Sequence, residues 1–140
     1  MTAGWPNDAA LQQILRKTKT IAVVGVSDRP MRPSYGVYAY LAATGNYQLY
    51  PVNPMISEIN GQRVYPSLAA LPVVPDMVDV FRRLEELPAV LADTLGLQPR
   101  PKTLWLQQGL WHEDVAREAS AAGLQVVMDR CLKIEHARLY

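Results

Sequence analysis

The sequence predicts an α/β fold: a Rossmann-like, doubly wound, five-stranded parallel sheet forming a single domain over residues 1–140. Short apolar runs rich in β-branched residues alternate with amphipathic stretches of helical spacing, which implies right-handed crossovers and a sheet covered on both faces. The first such run, "TIAVVGV", breaks at Gly25 just before a helical pattern begins, the arrangement of a strand, a tight turn and a helix. No repeat or low-complexity tract interrupts the chain, and its 11 prolines are dispersed among turns rather than gathered in a linker. The expected strand order is 3-2-1-4-5, with any ligand lying across the carboxyl ends of the strands beside the first.

Element by element, Asn7 or Asp8 can cap a first helix in which Leu11, Ile14 and Leu15 share a face and Arg16-Lys17 suit the C-terminal dipole. "TIAVVGV" is a strand buried on both faces. "SYGVYAYLAATG" is a helix with Val37, Tyr40 and Leu41 aligned and Gly45 placed to end it in the left-handed conformation. "YQLYPVNP" is a second strand stopped by Asn53-Pro54. The segment from Ile56 to Pro72 reads as a small excursion with an Asn60-Gly61 turn and a brief helical turn around Ser67 to Leu71. "DMVDVF" is the third strand, "LEELPAVLADTLG" a helix, "KTLWLQ" the fourth strand, "HEDVAREASAAG" a helix, and "LQVVMD" the fifth strand. Beyond it the chain reads as a polar tail containing His136, and Asp76 and Asp79 as structural residues at the rim of the third strand.

Composition narrows the function. Hydrophobic residues make up 49% of the chain, and a domain of this length buries about two-thirds of its unfolded surface, so no metal or disulfide is needed to fold it. A net charge of +1 gives no global attraction to nucleic acid or to an anionic membrane, and any anion must be held by a local site. The opening "MTAGWPNDAALQQIL" lacks a basic segment followed by an apolar core, and no run approaches the roughly 18 apolar residues of a membrane span. A single cysteine, Cys131, fits a reducing compartment. The expectation is a cytoplasmic protein.

The chemistry concentrates in the loop "GVSDRPMRPS". Gly25 can turn the chain so that backbone N–H groups meet a phosphate, the helix start near Ser34 adds partial positive charge, Ser27 offers a hydroxyl, and Arg29 and Arg32 can pair with phosphate oxygens. The spacing argues against a nicotinamide cofactor. A G-x-G-x-x-G fingerprint would need glycine at Ser27 and Pro30, and the carboxylate that holds ribose hydroxyls is replaced at the end of the second strand by Asn53. The G-x-x-x-x-G-K-[ST] loop of ATPases is absent. An NAD(P)-binding redox sensor is an alternative that Asn53 disfavours, and a thioester- or thiol-handling enzyme using Cys131 or His112 is another. No His/Cys/Asp cluster has metal-ligand spacing, and no Ser-His-acid set can be assembled.

Taken together, "IAVVGVSDRPMRPSYGVYAYLAATGNYQLYPVNP", "GQRVYPSL", "PDMVDVFR" and "LWLQQGLWHEDVAREASAAGLQVVMDRCLKIEH" resemble the small stand-alone CoA-binding proteins of bacteria and archaea. Their domain is similar to the CoA-binding domain of the succinyl-CoA synthetase α subunit. The resemblance implies a diphosphate site at Gly25, Val26, Ser27 and the segment Arg29, Arg32, Pro33, Ser34. It implies adenosine contacts at Val52, Asn53 and Pro54, contacts to the nucleotide and the start of the pantetheine arm at Val80, Phe81 and Arg82, and closure of the pocket by Gln107 and Gly109. It does not extend to the synthetase domain that carries the phosphorylated histidine, so it implies no ligase activity. The cofactor it implies is coenzyme A or an acyl-CoA, bound as a carrier, sensor or regulatory module. A protein partner or homo-oligomer is compatible with it, though the sequence shows no interface.

Overall fold

Helix α1 (Asp8–Lys17) begins where the Asn7 side chain accepts the Ala10 N–H at 2.9 Å, and it buries Leu11, Ile14 and Leu15. The computed structural model describes residues 6–140, so the reading of the N-terminus falls partly outside the described residues. Strand β1 (Thr20–Val24) follows, then helix α2 (Pro33–Thr44), which starts on a proline, where no amide donor is needed, and ends at Gly45 with φ of 70°. Strand β2 (Gln48–Val52) leads into a two-stranded hairpin, β3 (Glu58–Ile59) and β4 (Gln62–Arg63), and a 3-10 turn at Leu68–Ala70. Strand β5 (Met77–Val80), helix α3 (Leu87–Leu95), strand β6 (Thr103–Leu106), helix α4 (Glu113–Ala121) and strand β7 (Gln125–Val127) complete the alternation.

The five main strands are all parallel, ordered β2-β1-β5-β6-β7. In terms of those five strands the order is 2-1-3-4-5, which corrects the expected 3-2-1-4-5. The outer edge of β2, where a third strand would have added, is occupied by the excursion: Tyr65 bridges Val52, its N–H donating to the Pro51 carbonyl and its carbonyl accepting from Asn53. The chain therefore crosses to the other side of β1, and the winding reverses between β1 and β5.

Side chains alternate between the two faces with the period of two expected of strands. Ala22, Val24, Val78, Val80, Leu104 and Leu106 pack beneath α3 and α4. Ile21, Val23, Met77, Trp105 and Val127 pack on the other face with residues of α1 and α2 and with Leu132.

Two further corrections concern single residues and their setting. The polar tail is helix α5 (Leu132–Leu139), docked on α1 by Arg138, which pairs with Asp8 at 2.8 Å and with Glu135 at 2.9 Å. His136 within it is buried: its Nδ1 lies 2.8 Å from the Tyr40 hydroxyl and its Nε2 2.9 Å from Asn46 Oδ1, with the Tyr140 ring stacked 4.5 Å away. Asp79 is not at a rim either; it sits within β5 and is fully buried.

Candidate functional site

The strand register builds the site. Val24 pairs with Val52 on one side and Val80 on the other, and Val80 pairs with Leu106, so β2, β1, β5 and β6 all end at one level. The residues that follow, Asn53, Gly25, Phe81 and Gln107, border a single open crevice of about 920 Å³. That volume lies at the upper end of the range typical of small-molecule sites.

At the switch point Gly25 has φ of 86°, and a Cβ there would overlap the Phe81 carbonyl oxygen and lie 2.8 Å from Arg82 Cδ. Only glycine allows the two strand ends to approach this closely. The loop beyond it is held by its own hydroxyls: Ser34 Oγ accepts the Ser27 N–H at 2.9 Å, and Ser27 Oγ accepts the Arg29 N–H at 3.0 Å. Both hydroxyls thus shape the loop, and the amino end of α2 faces the crevice through Pro33 and Ser34.

Asn53 ties this loop to the end of β2. Its Nδ2 donates to the Val26 carbonyl at 2.8 Å and its Oδ1 accepts the Met55 N–H at 2.8 Å, which brings Met55 and Ile56 to the crevice wall. On the β5 side Glu86 pairs with Arg82 and, at 3.0 Å, with Arg83. Hydrogen bonds from Arg83 and then Arg82 hold the Glu86 carboxyl below its usual range. Four arginines, Arg29, Arg32, Arg82 and Arg83, line the crevice against two carboxylates, Asp28 and Glu86. Arg29 and Arg32 form no ion pair among the described residues, so the positive excess lies on the loop after β1.

Beneath the far end, Gln107 Nε2 donates to Asp79 Oδ1 at 2.8 Å, while Asp79 Oδ2 is buried with no hydrogen-bond partner among the described residues. Burial pushes the Asp79 carboxyl up to about 7, with the Gln107 hydrogen bond opposing the rise. Cys131, half-buried before α5, also lines this end. His112 does not: it caps α4, its Nδ1 accepting the Val115 N–H at 3.2 Å.

Of the residues singled out in the sequence, Gly25, Ser27, Arg29, Arg32, Pro33, Ser34, Asn53, Phe81, Arg82 and Gln107 border the crevice together. Val26 and Val80 are fully buried, each in one of the two cores flanking the sheet. Val52 and Pro54 line a smaller hollow that Gly25 and Arg82 also border. Gly109 stands outside the crevice, its N–H donated to Asp129 Oδ1 at 2.6 Å. Sequence reasoning missed Met55, Ile56, Arg83, Glu86 and Leu110. Arg83, next to Arg82, and Met55-Ile56, just past the Asn53-Pro54 turn, could have been found by reading each strand end a few residues further.

Sheet, switch-point glycine and crevice define a Rossmann-like α/β domain with its pocket at the carboxyl ends of the strands. A sequence model of the CoA binding domain family matches residues 19–137, and the chain belongs to that family. It is 40% identical over 132 residues to the uncharacterised Bacillus subtilis (strain 168) protein YneT, covering 94% of this chain and 96% of that one. Among solved structures, cell-free ID.343 from Thermus thermophilus superimposes with a TM-score of 0.89 at 39% identity, over 96% of this chain and 100% of the other. A hypothetical protein from Pyrococcus horikoshii OT3 gives 0.91 at 32%, over 99% and 96%. The fold alone is shared with an acetyl-coenzyme A synthetase of Ca. Korarchaeum cryptofilum, at a TM-score of 0.71 and 22% identity, over 83% of this chain and 26% of that enzyme. Membership in the family supports CoA binding.

Proposed function

We propose that the protein binds coenzyme A or an acyl-CoA across the ends of β2, β1, β5 and β6, serving in the cytoplasm as a carrier, sensor or regulatory module. One observation carries the reading: Arg29 and Arg32 on the loop after β1, without an ion pair among the described residues, line a crevice whose β2 end carries Asn53 where a ribose-binding carboxylate would favour NAD. Phosphates are assigned to the segment from Gly25 to Ser34. The adenosine is assigned to the side of Asn53, Met55 and Ile56, near Val52 and Pro54, and the pantetheine arm to the path past Phe81 and Arg82 toward Gln107. Of the two candidates for a catalytic role, His112 caps α4 outside the crevice, while Cys131 borders it. Calorimetric titration of desalted protein with CoA, NAD and NADP tests the CoA reading. Heat of binding with CoA is expected; silence with CoA together with saturable binding of NAD or NADP would overturn the reading.

A further inference from the structure

Gln107 is 95% buried by its neighbours, being only 5% exposed, yet it borders the crevice. Its backbone is pinned on both sides, the N–H to the Val80 carbonyl at 3.4 Å and the carbonyl to the Leu110 N–H at 2.9 Å. Its side-chain amide has one anchor, Asp79 Oδ1, at 2.8 Å. Asp79 Oδ1 accepts from the NH₂ end, and it stays an acceptor whether the carboxyl is ionised or carries its proton on the unpartnered Oδ2, which sets the way the amide is turned. The carbonyl oxygen Oε1 has no protein partner among the described residues, and it is not among their fully buried unsatisfied side-chain atoms, of which Asp79 Oδ2 is one. Oε1 is therefore the atom of Gln107 left open to a ligand.

Asp79 itself is an expensive choice for this place. It lies in β5 opposite Val23 of β1 and Trp105 of β6, fully buried, with one of its two oxygens unsatisfied. Leucine or valine would pack the same site of the sheet without that cost. What the carboxyl group does that an apolar side chain could not is offer Oδ1 as an acceptor that holds one orientation of the Gln107 amide.

We propose that Asp79 is a positioning residue that turns the Gln107 carbonyl into the crevice as a fixed acceptor for a hydrogen-bond donor on the ligand's extended arm. This rests on the CoA reading of the crevice and specifies its far end: an arm amide N–H, or its hydroxyl, is selected there over a group that can only accept. An arm offering only carbonyl oxygens at that point would leave Oε1 unpaired against another acceptor.

The test compares CoA with its arm-less fragment, 3′-phosphoadenosine 5′-diphosphate, by calorimetry on wild type, Gln107→Leu, Asp79→Leu and the swapped pair Asp79→Asn/Gln107→Glu. In the swapped pair the asparagine NH₂ donates to one glutamate oxygen and the other faces the crevice, so the acceptor is restored with the internal bond reversed. The expected result is a roughly tenfold loss of CoA affinity in each leucine variant, with fragment affinity unchanged and the swapped pair within about threefold of wild type. An unchanged ratio of CoA to fragment affinity in Gln107→Leu overturns the proposal while leaving the CoA reading intact. If Asp79→Leu does not fold, the swapped pair decides: a CoA affinity as low as that of Gln107→Leu overturns the proposal. Failure of wild type to bind either ligand overturns the CoA reading itself.

Discussion

Replacing Asp79 by asparagine should make the protein more stable at pH 8 relative to wild type than at pH 4, because the native carboxyl resists ionisation. Asp79 is completely buried, and burial pushes it from the usual 3.8 up to about 7. Between those values the unfolded chain has released the proton that the folded chain keeps, so the unfolded state binds fewer protons and stability falls as pH rises. The displacement spans about three pH units, and each unit corresponds to about 1.4 kcal/mol, so the loss between pH 4 and pH 7 is on the order of 4 kcal/mol. Asparagine keeps an oxygen for the Gln107 Nε2 and carries no titrating group. Its own NH₂ replaces the unsatisfied Oδ2, a pH-independent cost of about 1–3 kcal/mol. Urea unfolding of both proteins at constant ionic strength from pH 4 to pH 8 isolates the titration in their difference. That difference should grow in favour of Asp79→Asn up to about pH 7 and then level off. A flat difference, or one that shrinks with pH, would refute the assignment of Asp79 as a buried acid.

Gly25→Ala places a Cβ against the Phe81 carbonyl oxygen at a φ of 86°. It should cost about 2–4 kcal/mol in urea unfolding and abolish CoA binding, since β1 and β5 must separate at the crevice floor. Arg32→Ala should weaken CoA more than dephospho-CoA, its guanidinium being free of any carboxylate in the described residues and placed on the loop for the extra phosphate; equal losses for the two ligands in parallel titrations would assign Arg32 to the diphosphate instead. Burial lowers the proton affinity of His136. Below the ordinary histidine pKa of 6.5 the unfolded chain gains a proton that the folded chain refuses, so stability falls as pH drops from there toward the lowered native value. His136→Gln should flatten that acid-side slope in pH-dependent thermal melts, and an unchanged slope would show that His136 does not produce it.

The elements with strong local signals were legible. "TIAVVGV" reads as a buried strand ending in a turn, and Asn7 and Gly45 mark helix ends by chemistry that acts within one turn. What the sequence could not supply depends on partners far along the chain. The strand order turns on Tyr65 occupying the edge of β2, a non-local bridge inside a segment read only as an excursion. Helix α5 is eight residues long and leans on Asp8, 130 residues from Arg138, so its own periodicity says little. In the site, Gly25, Ser27 and Asn53 were visible because turns mark them, whereas Met55 and Ile56, just past the second turn, were passed over. Glu86 was not visible: it enters through its pairing with Arg82 and Arg83. Nor could Asp79, the second acid of "DMVDVF", be told from a rim residue until β1 and β6 closed around it.

Titration of ¹⁵N-labelled protein with CoA, followed by amide chemical shifts, tests the central claim most directly. Binding at the proposed crevice should move Gly25, Ser27, Arg29, Asn53, Phe81 and Gln107 together and leave the opposite end of the sheet, near Thr20 and Lys102, unchanged. An unperturbed spectrum at saturating CoA, or shifts confined to residues outside that crevice, would contradict it.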